Sequence, residues 1–287
     1  MPELPEVEVV KKSLKKKIVN LLIKKVIINT NKLRYPITKK QFSKIVNKKI
    51  LSIKRRSKYL IINLEKKITI LVHLGMTGKF FIIENKIRQK TSFYYNLKSK
   101  DTKHNHLIFV LNKNIKLIYN DVRKFGFIKI IPTDTLALNS HINTLGPEPL
   151  SKNFNLNYFR NYAEGKKKNI KNIMMDQKFV SGLGNIYVNE ILYLSKLNPR
   201  KSVKNIDDKT MTKLIYFTKK ILIDSIKKGG SSIKDFNDTE GKTGSFQQKF
   251  NVYGRIGKKC IKSNCRGLIT KTNISNRATF YCKSCQK

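Results

Sequence analysis

The apolar residues change from a strand-like to a helical period across the Pro- and Gly-bearing stretch 132–150. Before it lie short apolar runs: YLIINL (59–64), ITILVHL (68–74), FFII (80–83), LIFVL (107–111), IKLIY (115–119) and FGFIKII (125–131). Polar turns such as Glu65-Lys66-Lys67 and Asn112-Lys113-Asn114 separate them, the pattern of a β-sandwich or barrel. After it, segments 155–163, 169–177, 186–196 and 208–228 carry helical spacing, and the last stops at Gly229-Gly230. Pro132, Gly146, Pro147 and Pro149 punctuate the change. A chain of 287 residues is long enough for two modest cores, so the reading is α+β with two domains. The boundaries are 1–131 for the β-sandwich, 132–150 for a linker, 151–240 for the helical domain and 241–287 for a terminal hairpin. A helix precedes the sandwich, because Leu4, Val7, Val10, Leu14 and Ile18 recur every three or four residues. Residues 84–106 are polar and read as a long loop. Residues 237–248, rich in Gly, Thr, Ser and Gln, read as a mobile one.

The terminal hairpin holds all four cysteines, as Cys260-x4-Cys265 and Cys282-x2-Cys285 with sixteen residues between the pairs. RGLIT and RATFYC supply two strands between two tight turns, so four thiolates can meet one tetrahedral zinc ion. Four protein ligands leave no open position, which makes such a site structural. Two disulfides are the alternative. They are disfavoured because MPELPEVE is acidic and lacks the basic and apolar regions of a secretory signal.

Lys+Arg number 61 against 18 Asp+Glu, a formal net charge of +43. Such a field calls for a polyanionic partner, either nucleic acid or an anionic surface. Many lysines, among abundant Asn and Ile, also fit a surface filled by A/T-rich codons. No apolar run approaches the ~20 residues that span a bilayer. After Glu240 there is no acid at all, and Tyr253, Phe280 and Tyr281 lie among the cations, as in a nucleic-acid contact module.

Against that background Glu3, Glu6 and Glu8 crowd the first eight residues. Acids in a first helical turn complement the helix dipole. A chemical reading starts from removal of Met1, which leaves Pro2 with a secondary amine. An α-amino group has an ordinary pKa of about 8, so part of it is neutral and nucleophilic near pH 7. Attack on a sugar C1′ gives an iminium. A proline iminium has no N–H to lose and remains a cationic electron sink, with Glu3 beside it to move protons.

Eight segments in order carry a resemblance: MPELPEVE (1–8), RRSKYL (55–60), HLGMTG (73–78), DVRKFG (121–126), LGPEPL (145–150), GLGNIY (182–187), VYGRIG (252–257) and RATFYC (277–282). Together they resemble bacterial formamidopyrimidine-DNA glycosylase over essentially the whole chain. The resemblance implies excision of 8-oxoguanine and formamidopyrimidines from duplex DNA, then strand cleavage by β,δ-elimination at the abasic site. It implies Pro2 as the Schiff-base nucleophile and Glu3 as its proton donor. It further implies Lys58 as the proton donor of β-elimination and Arg277 as the δ-elimination and phosphate residue. Met76, Arg123 and Phe125 match the trio that fills the hole left by the flipped base, a role that suits Met and Phe wedges. His104, Arg123, Lys168 and Asn185 match backbone contacts, Asn185 following the glycine turn of a helix–two-turns–helix element. Lys171 and Glu190 match residues near the pocket, and 237–248 the lid over the flipped base. The implied protein is a monomer in the bacterial cytoplasm, bound to the nucleoid through DNA lying between its domains, with one structural zinc.

The chain departs from the family pattern at Val122, Lys124 and Asn105, in the x4 cysteine spacing and in a long 84–103 segment. None removes a catalytic match. Endonuclease VIII, a sister enzyme for oxidised pyrimidines, is disfavoured by Leu4 and the Met76/Arg123/Phe125 trio. A non-catalytic DNA-binding relic is disfavoured by intact Pro2, Glu3, Lys58 and Arg277. A zinc-ribbon RNA-binding protein of ribosomal type does not account for the β-rich half.

Overall fold

The computed structural model describes residues 2–85, 87–91, 102–230 and 250–287. These divide into two compact units. The first is built from the described part of Met1–Asn143 and Ser225–Gln247, the second from that of Thr144–Asp224 and Gln248–Lys287.

The first unit opens with helix α1 (Leu4–Ile18). Glu3 is its N-cap, in a capping box where Glu3 N donates to Glu6 Oε2 at 2.8 Å. Pro5 sits in the first turn, where no helical N–H is missed, and Lys15, Lys16 and Lys17 fill the last, at the negative end of the dipole. The stripe Leu4, Val7, Val10, Leu14 and Ile18 is fully buried.

Nine strands follow: β1 (Ile23–Ile28), β2 (Ile50–Arg56), β3 (Tyr59–Leu64), β4 (Ile68–His73), β5 (Lys79–Glu84), β6 (Ile87–Lys90), β7 (Asn105–Leu111), β8 (Ile115–Asn120) and β9 (Phe127–Pro132). They form two antiparallel sheets, ordered β1-β7-β8-β5-β6 and β2-β3-β4-β9. One core joins them. Leu60, Ile62, Ile70 and Val72 of one sheet cluster with Phe80, Ile82, Phe109 and Leu117 of the other and with the α1 stripe. The opposite face of the second sheet is covered as well, since Ile61, Leu71 and Phe127 pack with Tyr35, Leu136 and Ile142. Apolar cover on both faces explains why β3 and β4 read as continuous hydrophobic runs rather than alternating ones.

The long loop expected at 84–106 is corrected. Ile87–Lys90 is a strand paired with β5, Glu84 opposite Ile87 and Phe81 opposite Lys90, and β7 already begins at Asn105. As a sheet edge, β6 needs only one paired side, so its composition can stay polar. Strands β1 and β2 and the short helix α2 (Lys39–Ser43) escaped the sequence pattern because lysines interrupt their apolar runs, as in IKKVII and ILSIKRR.

The second unit packs α3 (Leu156–Ala163), α4 (Ile170–Met175), α5 (Asn185–Leu194) and α6 (Asp208–Lys227, its last residues falling in the first unit). Phe154, Phe159, Phe179, Tyr187 and Leu214 form its core. The Asn155 and Asn169 side chains cap α3 and α4 by accepting from Tyr158 N and Asn172 N. Strands β10 (Ile269–Ile274) and β11 (Arg277–Cys282) make a hairpin through Ser275 and Asn276, both left-handed with φ of 48° and 58°. Buried α5 side chains anchor the terminal segment. Asn189 Oδ1 accepts from Phe280 N at 2.9 Å. The Glu190 carboxylate accepts from Asn251 N and Nδ2, Val252 N and Tyr253 N at 2.7–2.9 Å.

Glu190→Gln turns an NH2 group toward N–H donors and removes a charge from four hydrogen bonds. It is expected to cost about 3 kcal/mol. In hydrogen exchange, amides 251–253 should lose protection while those of β3 and β4 keep it.

Candidate active site and nucleic-acid interface

Pro2 is buried at the mouth of α1 and Glu3 is 2% exposed. Lys58 occupies the two-residue turn joining β2 to β3, where Arg56 pairs with Tyr59, and Ser57 takes a left-handed φ of 55°. A lysine at a hairpin tip ordinarily points into water, yet Lys58 is only 8% exposed. This tip is tied to α1 through one cation: Arg55 Nε donates to Glu8 Oε2 and Arg55 Nη1 to Ser57 O, each at 2.8 Å. Burial pushes the Glu8 carboxyl up, but hydrogen bonds and charge from Lys11 and Arg55 outweigh it and hold it below its ordinary value. The helix bearing Pro2 and the turn bearing Lys58 are thus fixed to each other.

The HLGMTG and DVRKFG segments meet at their glycines. Gly75 has φ +62°, and a Cβ there would lie 2.4 Å from Gly126 N; a Cβ on Gly126 would lie 2.0 Å from the Tyr119 hydroxyl. From this root project Met76, Arg123 and Phe125. Met76 is 37% exposed and Phe125 47%, so neither is a core residue. Arg123 Nη1 lies 3.0 Å from Met76 Sδ, and its guanidinium sits 4.5 Å from the centre of the Phe125 ring. Arg123 therefore touches both of the side chains expected to act with it, at the surface. Buried Asp121 lies behind them, with Oδ1 accepting from Thr77 Oγ1 at 2.5 Å and Oδ2 from Gly126 N at 2.8 Å. His104 is half-buried on the adjoining segment, and its carbonyl accepts from Asp121 N at 3.1 Å.

His73, absent from the expected site, closes the back of this group. Its Nδ1 accepts from Gly75 N at 3.1 Å, which places a proton on Nε2. Burial, aided by Lys58 and Arg34, holds it down to about 4, so the ring is neutral at ordinary pH. Asp121, Thr77 and Arg55 were likewise missed. The signal available for Asp121 and Glu8 was the scarcity of acids in so cationic a chain.

In the second unit, Asn185 is the first residue of α5 and Gly184 its N-cap. Gln177 shapes the preceding glycine turn, its Oε1 accepting from Gly182 N and its Nε2 donating to Leu183 O, both at 2.8 Å. The Asn185 side-chain amide donates to Ala278 O at 2.9 Å. Buried Lys171 donates to the same carbonyl at 3.1 Å and to Thr279 Oγ1 at 2.6 Å. The turn carrying exposed Arg277 is thereby held against the helices. Lys168 is exposed on the segment before α4. The expected lid, 237–248, lies outside the described residues.

The four cysteine Sγ atoms all lie within 4.8 Å of one another. Cys260 and Cys285 are 3.8 Å apart, Cys265 and Cys282 3.7 Å, and Cys265 and Cys285 3.2 Å. Bonds of about 2.3 Å to a tetrahedral ion require sulfur separations of about 3.8 Å. Disulfides need about 2.05 Å, so the alternative pairing is not the one adopted. Tyr193 OH lies 3.2 Å from Cys260 Sγ, close enough to support a thiolate.

The profile described as Formamidopyrimidine-DNA glycosylase N-terminal domain matches residues 1–128, and that of the Formamidopyrimidine-DNA glycosylase H2TH domain matches 145–237. The chain belongs to the formamidopyrimidine-DNA glycosylase family. Formamidopyrimidine-DNA glycosylase of Rickettsia bellii is 42% identical over 287 residues, covering 100% of both chains. That of Rickettsia massiliae is 40% identical over 286 residues, covering 100% of this chain and 97% of the relative. Among solved structures, Lactococcus lactis Fpg in complex with abasic-site DNA aligns with a TM-score of 0.84 at 34% identity, covering 99% of both chains. The Lactococcus lactis enzyme in complex with Fapy-dG DNA also aligns at 0.84 and 34%, covering 99% of this chain and 100% of that one. This member of the glycosylase family therefore has the β-sandwich, the helix–two-turns–helix unit and the cysteine hairpin anticipated from its sequence, with no described helix long and apolar enough to cross a membrane.

Lys171 gives a pH signature. Burial, joined by the charge of Arg277, brings its ammonium down to about 8, against an ordinary 10.5. Below pH 8 the folded chain carries the full cost of the buried charge; between 8 and 10.5 the unfolded chain binds more protons, so this group's contribution to stability rises with pH. The urea midpoint of the wild type should therefore rise relative to that of Lys171→Met as pH increases from 8 to 10.

Proposed function

We propose that this protein excises oxidised purines, 8-oxoguanine and formamidopyrimidines, from duplex DNA and cleaves the strand at the resulting abasic site by β,δ-elimination. The observation that carries the reading is the exposed trio on a glycine root, with Arg123 in contact with both Met76 and Phe125. Large apolar side chains held out at a surface have a use where a base leaves the stack. Met and Phe fill the space between base steps, while Arg123 bonds the orphaned partner base. Relatives named for formamidopyrimidine-DNA and neighbours bound to Fapy-dG and abasic-site DNA support the lesion class.

Once Met1 is removed, the Pro2 nitrogen attacks C1′, the damaged base leaves with the electrons of its glycosidic bond, and Glu3 supplies a proton as the sugar opens to the iminium. The cationic iminium acidifies the C2′ proton, whose loss expels the 3′ phosphate. Lys58, buried beside the strand that ends at His73, serves as proton donor in that elimination. Arg277 holds the phosphate and serves the second elimination. His104, Lys168 and the N-terminus of α5 at Asn185 meet the DNA backbone. Cys260, Cys265, Cys282 and Cys285 hold one structural zinc, which staples the hairpin that presents Arg277. The protein acts as a monomer at the nucleoid.

Borohydride reduces a Schiff base to a stable bond, so incubation with an 8-oxoguanine:cytosine duplex should give a covalent adduct that mass spectrometry maps to Pro2. An adduct only with an oxidised-pyrimidine duplex would reassign the substrate. No adduct with either, despite tight binding and an intact Pro2 terminus, would make the protein a DNA binder without catalysis. Arg277→Ala should retain the adduct yet accumulate the β-elimination product on a sequencing gel. Elemental analysis should find about one zinc per chain, and Cys282→Ser should lose it.

A further inference from the structure

We propose that Thr77 and Asp121 are the positioning residues that hold the intruding trio in its working geometry; the inference rests on the glycosylase reading for its consequence. Asp121 is completely buried and is hydrogen-bonded to each segment that frames the trio. Its Oδ2 accepts from Gly126 N at 2.8 Å and from Tyr119 OH at 3.3 Å. Its main chain donates to His104 O at 3.1 Å and accepts from His106 Nε2 at 2.8 Å and Lys124 N at 3.3 Å. The remaining oxygen, Oδ1, takes the Thr77 hydroxyl at 2.5 Å.

That last bond has a direction. A carboxylate oxygen only accepts, so the Thr77 hydroxyl must donate to it, and its lone pairs are left for the Arg123 N–H at 3.0 Å. The result is a polarised chain from Arg123 N–H through Thr77 O–H to the Asp121 carboxylate, whose links strengthen one another. Thr77 follows Met76 directly, and Arg123 and Phe125 flank the other end. One hydroxyl thus fixes the backbone beneath both halves of the trio. Lys124, between Arg123 and Phe125, has a left-handed φ of 55°, and its N–H is held by Asp121 O at 3.3 Å.

Thr77→Val keeps the shape and deletes the hydroxyl; Thr77→Ser restores it. The decisive measurement is fluorescence of a 2-aminopurine placed beside a tetrahydrofuran abasic analogue in a duplex, at saturating protein. Wild type and Thr77→Ser should raise the fluorescence as side chains unstack the probe. Thr77→Val should lose most of that rise while still binding. In single turnover, Thr77→Val should excise 8-oxoguanine from a duplex at least tenfold more slowly, yet cleave a preformed abasic site in single-stranded DNA at the wild-type rate, since no opposing strand is there to be entered. A full fluorescence rise with Thr77→Val, or an equal loss on both substrates with a lowered Tm, overturns the proposal. Absence of excision by the wild type would overturn the glycosylase reading alone, because the fluorescence arm needs no chemistry.

Discussion

A chain with 61 cations and 18 acids has few carboxylates with which to hold itself together, and four of the described ones, buried or half-buried, sit at a helix start or where backbone segments meet. Glu6 closes the N-terminus of α1, Glu8 reaches Arg55 on the hairpin, Asp121 gathers three loops, and Glu190 takes four donors from the start of the terminal segment. Charge–charge attraction over the surface cannot stabilise so one-signed a molecule, and exposed pairs would add little in any case. The fold relies instead on apolar cores and on carboxylates used as acceptors for N–H and O–H groups at the joints.

This division of labour explains what could be read from the sequence. The stripe of α1, the runs of β3 to β5 and β7 to β9, and the four helices of the second unit were legible because each buries a large apolar face. Strands β1 and β2 were not, since one face of each carries lysines in water while the other packs. Strand β6 was hidden because an edge needs little hydrophobicity. The thiol cluster was legible from spacing alone, and its sulfur separations suit a tetrahedral ion.

Site residues split along the same line. Family motifs pointed to Met76, Arg123 and Phe125, and the structure brings these together; for Pro2, Glu3, Lys58 and Arg277 it supplies surroundings. What no motif supplied were the residues behind them: Thr77, Asp121, His73, Arg55 and Gln177. Each acts through hydrogen bonds that hold a loop or turn in shape, and such pairings leave no periodic trace. Asn185 belongs to both groups. Its type and position suggested an anion contact, and no motif showed that its side-chain amide also donates to the Ala278 carbonyl beside Arg277.

The glycine pair at the root of the two loops has an evolutionary consequence. Positions 75 and 126 admit no side chain, because each ideal Cβ falls inside a neighbour's atoms. The tips carry no such restriction: Val122, Arg123, Lys124 and Phe125 are all exposed. Steric space therefore permits substitution at the tips, while the root that aims them stays closed to change.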